Sequence, residues 1–169
     1  KFDSSGNEIW TKSLGGSNTD YGWSVVETSD GSFVVTGYTY SYGGSDGDVL
    51  LAKFDSSGNE IWTKSLGGSN TDFGYDVVET SDGGFVVTGH TYSYGGSDSD
   101  VLLAKFDSSG NEIWTKSLGG SNTDFGYDVV ETSDGGFVVT GHTYSYGGSD
   151  SDVLLAKFDS SGNEIWTKS

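Results

Sequence analysis

The side chains able to do chemistry are carboxylates, tyrosines and two histidines, and nearly all of them recur at one interval. The stretch KFDSSGNEIWTKS begins at Lys1, Lys53, Lys105 and Lys157, which sets a period of 52 residues. Asp46 and Asp48, Asp98 and Asp100, and Asp150 and Asp152 lie in Gly/Ser segments that follow Tyr42, Tyr94 and Tyr146. Carboxylates on such segments can take a calcium ion with help from backbone carbonyls, and Tyr42, Tyr94 and Tyr146, clustered with Tyr40, Tyr92 and Tyr144 before the Gly-Gly pair, can stack on sugar rings. The simpler reading is that the aspartates cap turns and the tyrosines pack between units. These nine residues are the candidate ligand loops, with a glycan as the ligand class they suit.

Two further groups are weaker. In DSSGNE, Asp3, Ser5 and Asn7 match the first, third and fifth positions of a calcium loop, but Glu8 stands where Gly is required and Leu14 where Glu is required. A solvated hairpin turn is the better reading. His90 and His142 hold equivalent positions in two copies and replace Tyr38 of the first. A catalytic base needs a nucleophile or acid held beside it, and nothing in the sequence supplies one, so both read as packing positions. No catalytic constellation, cofactor motif or metal set stands out, and the expectation is a non-enzyme without a cofactor.

The bulk figures narrow the partners. The chain has 169 residues and a formal charge of −17, with 8 cationic side chains against 25 acidic ones. Phosphate backbones and anionic membranes are bound by clustered Lys and Arg, and here the lysines are well separated. Nucleic acid and membrane are not expected partners. There is no cysteine, hence no disulfide framework and no thiolate chemistry. The sequence starts and stops inside the same motif, as an excerpt of a longer array or a processed fragment would.

Stepping along one copy gives four short strands and no helical period. Residues 8–12, 23–28, 33–40 and 49–54 read as strands, separated by DSSGN, by the loop 14–22, by the hairpin turn 29–32 and by the loop 41–48. The strands FVVTGYTY and VLLAKF are apolar on both alternating faces, which calls for cover above and below. EIWTK is more polar, and its lysine suits an exposed sheet edge. Four-stranded sheets at a period near 50, stacked face to face, describe the blades of a β-propeller; a β-solenoid is the competing architecture. In that frame the strand at 23–28 is innermost and EIWTK outermost. The blades run over residues 19–70, 71–122 and 123–169, and residues 1–18 are a surplus strand hairpin of a neighbouring blade.

The line from Asp72 to Thr91, then from Asp100 to Trp114, resembles the repeats of bacterial and archaeal β-propellers in secreted and surface proteins. The part from Val101 to Trp114 is similar to the kelch blade, although one glycine, Gly89, stands where kelch has a pair. The turn followed by Trp also resembles the docking motif of quinoprotein-type propellers, one residue shorter. The resemblance implies blade architecture and a location outside the cell or at its surface, and it leaves function open because propellers host enzymes, lectins and scaffolds alike.

The second and third copies are identical, and the first differs from them at six positions: Tyr21, Trp23, Ser24, Ser32, Tyr38 and Gly47. Such identity points either to recent amplification or to a synthetic repeat protein. Three blades would leave large apolar faces bare, and such faces drive association. The expectation is therefore a ring closed by oligomerisation, most simply a homodimer giving six blades. Its function would be that of a non-catalytic scaffold, with a carbohydrate-binding propeller as the alternative.

Overall fold

In the computed structural model, which describes residues 1–96, 98–148 and 150–169, the chain is all-β. Twelve strands form three separate four-stranded antiparallel sheets. The first holds β1 (Asp20–Glu27), β2 (Phe33–Thr39), β3 (Asp48–Phe54) and β4 (Glu60–Leu66). The second holds β5 (Asp72–Glu79), β6 (Phe85–Thr91), β7 (Asp100–Phe106) and β8 (Glu112–Leu118). The third holds β9 (Asp124–Glu131), β10 (Phe137–Thr143), β11 (Asp152–Phe158) and β12 (Glu164–Lys168). Within each sheet the strands lie in chain order.

The alternation of apolar residues decides how the sheets stack. On β6, Phe85 and Val87 face the first sheet while Val86 faces the third; on β7, Leu102 and Ala104 face the first while Val101 and Leu103 face the third. One cluster joins these residues to Val34, Val49, Leu51 and Leu66 of the first sheet. The other joins the opposite face to Val129, Phe137, Val139, Leu154, Ala156 and Phe158 of the third. The middle sheet is thus buried on both faces, as its doubly apolar strands require. The same tryptophan closes each interface: Trp62 sits 6.0 Å from Phe85, and Trp114 sits 6.0 Å from Phe137.

Two irregularities escape a simple alternation. On β1, β5 and β9 the register slips at Trp23, Tyr75 and Tyr127, each left without a cross-strand partner. The slip lies beside a glycine pair, Gly74 opposite Gly89. A Cβ on Gly89 would lie 1.7 Å from the carbonyl oxygen of Phe73, so only glycine allows this approach. On β4, β8 and β12 a second slip turns Ile61, Ile113 and Ile165 outward, which is why an isoleucine is exposed on each of these edge strands.

The first copy of EIWTK, read from sequence as a strand, is not one. Residues 1–18 form only an isolated bridge between Phe2 and Glu8, whereas each later EIWTK copy pairs with the VLLAKF strand before it. The strands at 23–28 and 49–54 also begin earlier than expected, at Asp20 and Asp48, which moves both aspartates from loops onto strand starts.

Candidate functional site

The Gly/Ser loops of all three units gather on one rim, and their aspartates separate into two populations. Asp48 and Asp100 are buried at the first residue of β3 and β7, where each Oδ2 accepts a 2.6 Å hydrogen bond from the backbone of Gly44 or Gly96. Burial pushes both carboxyls above their usual range, and the neighbouring Asp72 or Asp124 adds to the push. Asp152, in the third unit, is half-buried and holds Gly148 in the same way at 2.7 Å. Asp46, Asp98 and Asp150 are exposed at the loop surface.

The partners of Asp48 and Asp100 are aspartates from the next sheet. Asp72 is fully buried; its carboxylate accepts from Thr91, from Ser93 Oγ at 2.7 Å and from the Gly68 backbone at 3.0 Å. Asp124 accepts from Ser145 Oγ at 2.6 Å and from Gly120 at 3.1 Å. Asp20 accepts from Thr39 Oγ1, Ser41 Oγ and Gly16. These carboxylates tie the loop before one strand to the loop after its neighbour. Among the described residues no group of three or more His, Cys, Asp or Glu converges to hold a metal ion.

The tyrosines divide as well. Tyr94 and Tyr146 are half-buried, with hydroxyls that donate to the carbonyls of Gly67 and Gly119 at 3.1 and 3.0 Å, and they pack against the two clusters. Tyr42 is half-buried in the first unit. The exposed rings belong instead to Tyr40, Tyr92 and Tyr144, at 43–46%. Tyr92 lines a hollow of about 410 Å³ with Asp46, Asn70 and Thr71, so residues of two successive sheets meet there. A similar hollow of about 450 Å³ lies between Tyr40, Asn18, Thr19, Ser17 and Ser45. Of the nine candidates read from sequence, only Asp46 lines one of these hollows. Asn70 was the readable signal: it precedes a strand in every copy, and its amide donates to the Tyr92 carbonyl at 3.1 Å.

The DSSGN turns use their carboxylates internally. Asp55 Oδ1 accepts from the backbones of Ser57 and Asn59 at 2.8 and 2.9 Å, and Oδ2 accepts from the Asn59 amide at 2.9 Å. Those bonds from Asn59 hold the carboxyl below its usual range. Lys53, Lys105 and Lys157, in the same motif, reach back to Asp30, Asp82 and Asp134 on the first hairpin of their own sheet at 3.0, 2.6 and 2.7 Å.

His90 is 5% exposed and lies among aromatic rings, stacked on Phe73 at 4.5 Å and edge-on to Phe125 at 4.3 Å. Its Nδ1 has no partner among the described residues, and burial lowers its pKa to about 4. His142, at the open side of the third sheet, instead shares a 2.8 Å hydrogen bond with the Tyr127 hydroxyl.

Fold and rim together define a tandem-repeat all-β protein with one four-stranded antiparallel sheet per unit, whose recurring polar residues mostly hold loops in place. No family model matches the sequence. A regulatory protein of Caulobacter vibrioides, FlaEY, is 29% identical over 164 aligned residues, covering 83% of this chain. The chain spans 17% of the length of that protein.

Proposed function

We propose that the chain is a non-catalytic scaffold, a set of β-propeller blades that closes into a ring by joining further copies, most simply two chains giving six blades. The observation that supports this most directly is the repetition of one interface. The residues by which the middle sheet receives the first are repeated, 52 positions on, where the third receives the middle, with Trp62 on Phe85 and Trp114 on Phe137 at the same 6.0 Å. Material for a third such interface is exposed at both ends of the stack. Val25 is 63% exposed on the first sheet, and Val153 and Leu155 are 72% and 39% exposed on the third. A non-catalytic role agrees with carboxylates engaged in loop hydrogen bonds. A cell-exterior setting follows from the resemblance of the repeats to those of secreted and surface propellers. The similarity to a protein named as regulatory is compatible with a binding or organising role and says nothing of a reaction.

Sedimentation equilibrium of the 169-residue chain tests the reading. A discrete dimer supports six blades. A strict monomer at high concentration, or an indefinite series of sizes, argues against a closed ring.

Carbohydrate binding remains the second reading, and the rim hollows favour a specific version of it. An exposed tyrosine face beside Asn70, Thr71 and Asp46 provides one stacking surface and several hydrogen-bonding groups. Titration with a sugar panel checks it. Binding that is lost with Tyr92→Ala and kept with Tyr94→Phe assigns the site to the hollow, and no binding at millimolar sugar removes the reading.

A further inference from the structure

The two open faces of the stack are the two halves of its internal interface. On the third sheet, Val138, Val153, Leu155 and Trp166 occupy the places from which Val86, Val101, Leu103 and Trp114 contact the next sheet. On the first sheet, Phe33, Val35, Leu50 and Phe54 occupy the places of Phe137, Val139, Leu154 and Phe158, which receive that contact. Polar latches are divided in the same way. Ser29 donates to Glu79, and Ser81 to Glu131, through both backbone and hydroxyl at 2.7–3.0 Å. Ser133 and Glu27 are the remaining halves at the two ends. Ser24 Oγ donates to Asp76 at 2.7 Å across the first interface, and the same hydroxyl type would face Asp128 across a junction of chains.

One end is already part-filled. Residues 1–13 lie where the fourth strand of a preceding sheet would lie. Trp10 sits 6.0 Å from Phe33, and its indole nitrogen donates to the Ser56 carbonyl at 3.3 Å. Trp10 stands over Gly58 as Trp62 stands over Gly110 and Trp114 over Gly162. The fit is poor elsewhere. Phe2 is 64% exposed where its counterparts Phe106 and Phe158 are buried, and a cavity of about 480 Å³ remains between Trp10, Leu14, Val25, Val35 and Leu50.

We propose that residues 1–13 form an internal plug over the apolar face of the first sheet, and that the third sheet of a second copy displaces this plug and seats Trp166 on Phe33. The proposal rests on the scaffold reading above and names its joint. Sequence identity makes the exchange nearly neutral in contacts, because residues 157–169 repeat residues 1–13. The incoming copy prevails because its β12 keeps its ladder to β11, where Ala156, Lys157 and Phe158 pair with Thr167, Trp166 and Glu164. It also brings β9, β10 and β11 over the cavity that the plug leaves open. The alternative exchange would keep residues 8–13 in place and pair them with the partner's β11, at the cost of disordering residues 1–7 and the partner's whole terminal hairpin.

The test uses one substitution at two equivalent positions of the full chain, read by sedimentation equilibrium. Trp10→Ala loosens the plug and is expected to tighten association about tenfold; Trp166→Ala removes the incoming anchor and is expected to weaken it about tenfold or more. Association of the wild type with the two effects reversed, or with no effect of Trp10→Ala, overturns the plug while leaving the scaffold reading intact. A wild type and a Trp10→Ala variant that both stay monomeric overturn the two together. A monomeric wild type that dimerises as Trp10→Ala supports the plug directly.

Discussion

The substitution Gly47→Ser places in the first unit the residue that the second and third units carry at Ser99 and Ser151, and the structure forecasts that it fails there unless Tyr38 is changed with it. A Cβ on Gly47 would lie 2.1 Å from two ring atoms of Tyr38 and 2.2 Å from its hydroxyl oxygen. The ring has little room to retreat. It is 5% exposed, stacked on Phe73 at 4.3 Å and edge-on to Tyr40 at 4.9 Å. In the second unit His90 stands in the place of Tyr38, and Ser99 is fully buried beside it. Overpacking of this kind costs about 1–3 kcal/mol, while Tyr38→His alone removes ring volume next to a glycine and costs roughly 1–2 kcal/mol. The double variant rebuilds the pair that the other units already contain, so its cost is expected below about 1 kcal/mol. The interaction energy is then about 2 kcal/mol and favourable, well inside the range for residues in contact. Urea denaturation of the four proteins measures it, and amide exchange in β2 shows whether the loss is confined to the first sheet. Additivity within about 0.5 kcal/mol would refute the pairing.

Three further outcomes follow from the same packing. His90 has a folded pKa of about 4 against an ordinary 6.5, so the unfolded chain binds the proton first as pH falls. Its contribution is complete above pH 6.5 and is lost toward pH 4, up to about 3 kcal/mol at about 1.4 kcal/mol per unit; His90→Phe should flatten the stability profile in that window, and an unchanged slope would contradict the burial argument. Lys105, aided by Thr80, lowers the Asp82 carboxyl to about 2. That contribution is present above the ordinary carboxylate range and lost as pH falls toward 2, but the aspartate is 57% exposed, so solvent screening holds it below about 1 kcal/mol; comparing Asp82→Asn with the wild type at pH 2 and pH 6 checks the sign. Gly89→Ala drives a methyl into the backbone of β5 and is expected to cost about 3 kcal/mol or more, measured by thermal unfolding, whereas Gly83→Ala at an open hairpin turn meets no atom within 4 Å and pays only for its positive φ of 79°.

How much of this was legible depends on whether a feature lies within one unit or between two. Strand count, turn positions and the double-sided burial of FVVTGHT and VLLAKF follow from local alternation and turn residues, and they reappear as β6 and β7 with every residue buried. The partnership of Asp48 with Asp72, of Ser29 with Glu79 and of Trp62 with Phe85 could not be read. A perfect repeat gives every residue several identical candidate partners, and only the stacking of sheets selects among them. The candidate ligand loops show the same limit. Tyr42, Tyr94 and Tyr146 read equally as stacking surfaces for a sugar or as packing between units; the turn directs Tyr94 and Tyr146 back to a carbonyl of the loop that opens their own sheet and leaves Tyr92 and Tyr144, two residues earlier, facing solvent.

The six departures of the first copy argue that its sequence answers to its position rather than to drift alone. Five of them lie along or against the interfaces between sheets. Tyr38 and Gly47 are a compensating pair, Trp23 meets Tyr75 edge-on at 5.8 Å, and Tyr21 stacks toward Tyr38 at 6.4 Å. Ser24 has the clearest electrostatic consequence. Asp76 and Asp128 face each other across the second interface, and burial together with Asp76 raises the Asp128 carboxyl. A third aspartate at position 24 would create a second acid–acid contact with Asp76 and another at any junction with Asp128. Serine at that position donates to Asp76 instead. Ser24→Asp should therefore weaken the first interface and the junction proposed between copies, and more strongly at neutral pH than in acid, where protonation of one carboxyl of a pair relieves the repulsion. Sedimentation at the two pH values distinguishes this from a change in packing, which would weaken association equally at both.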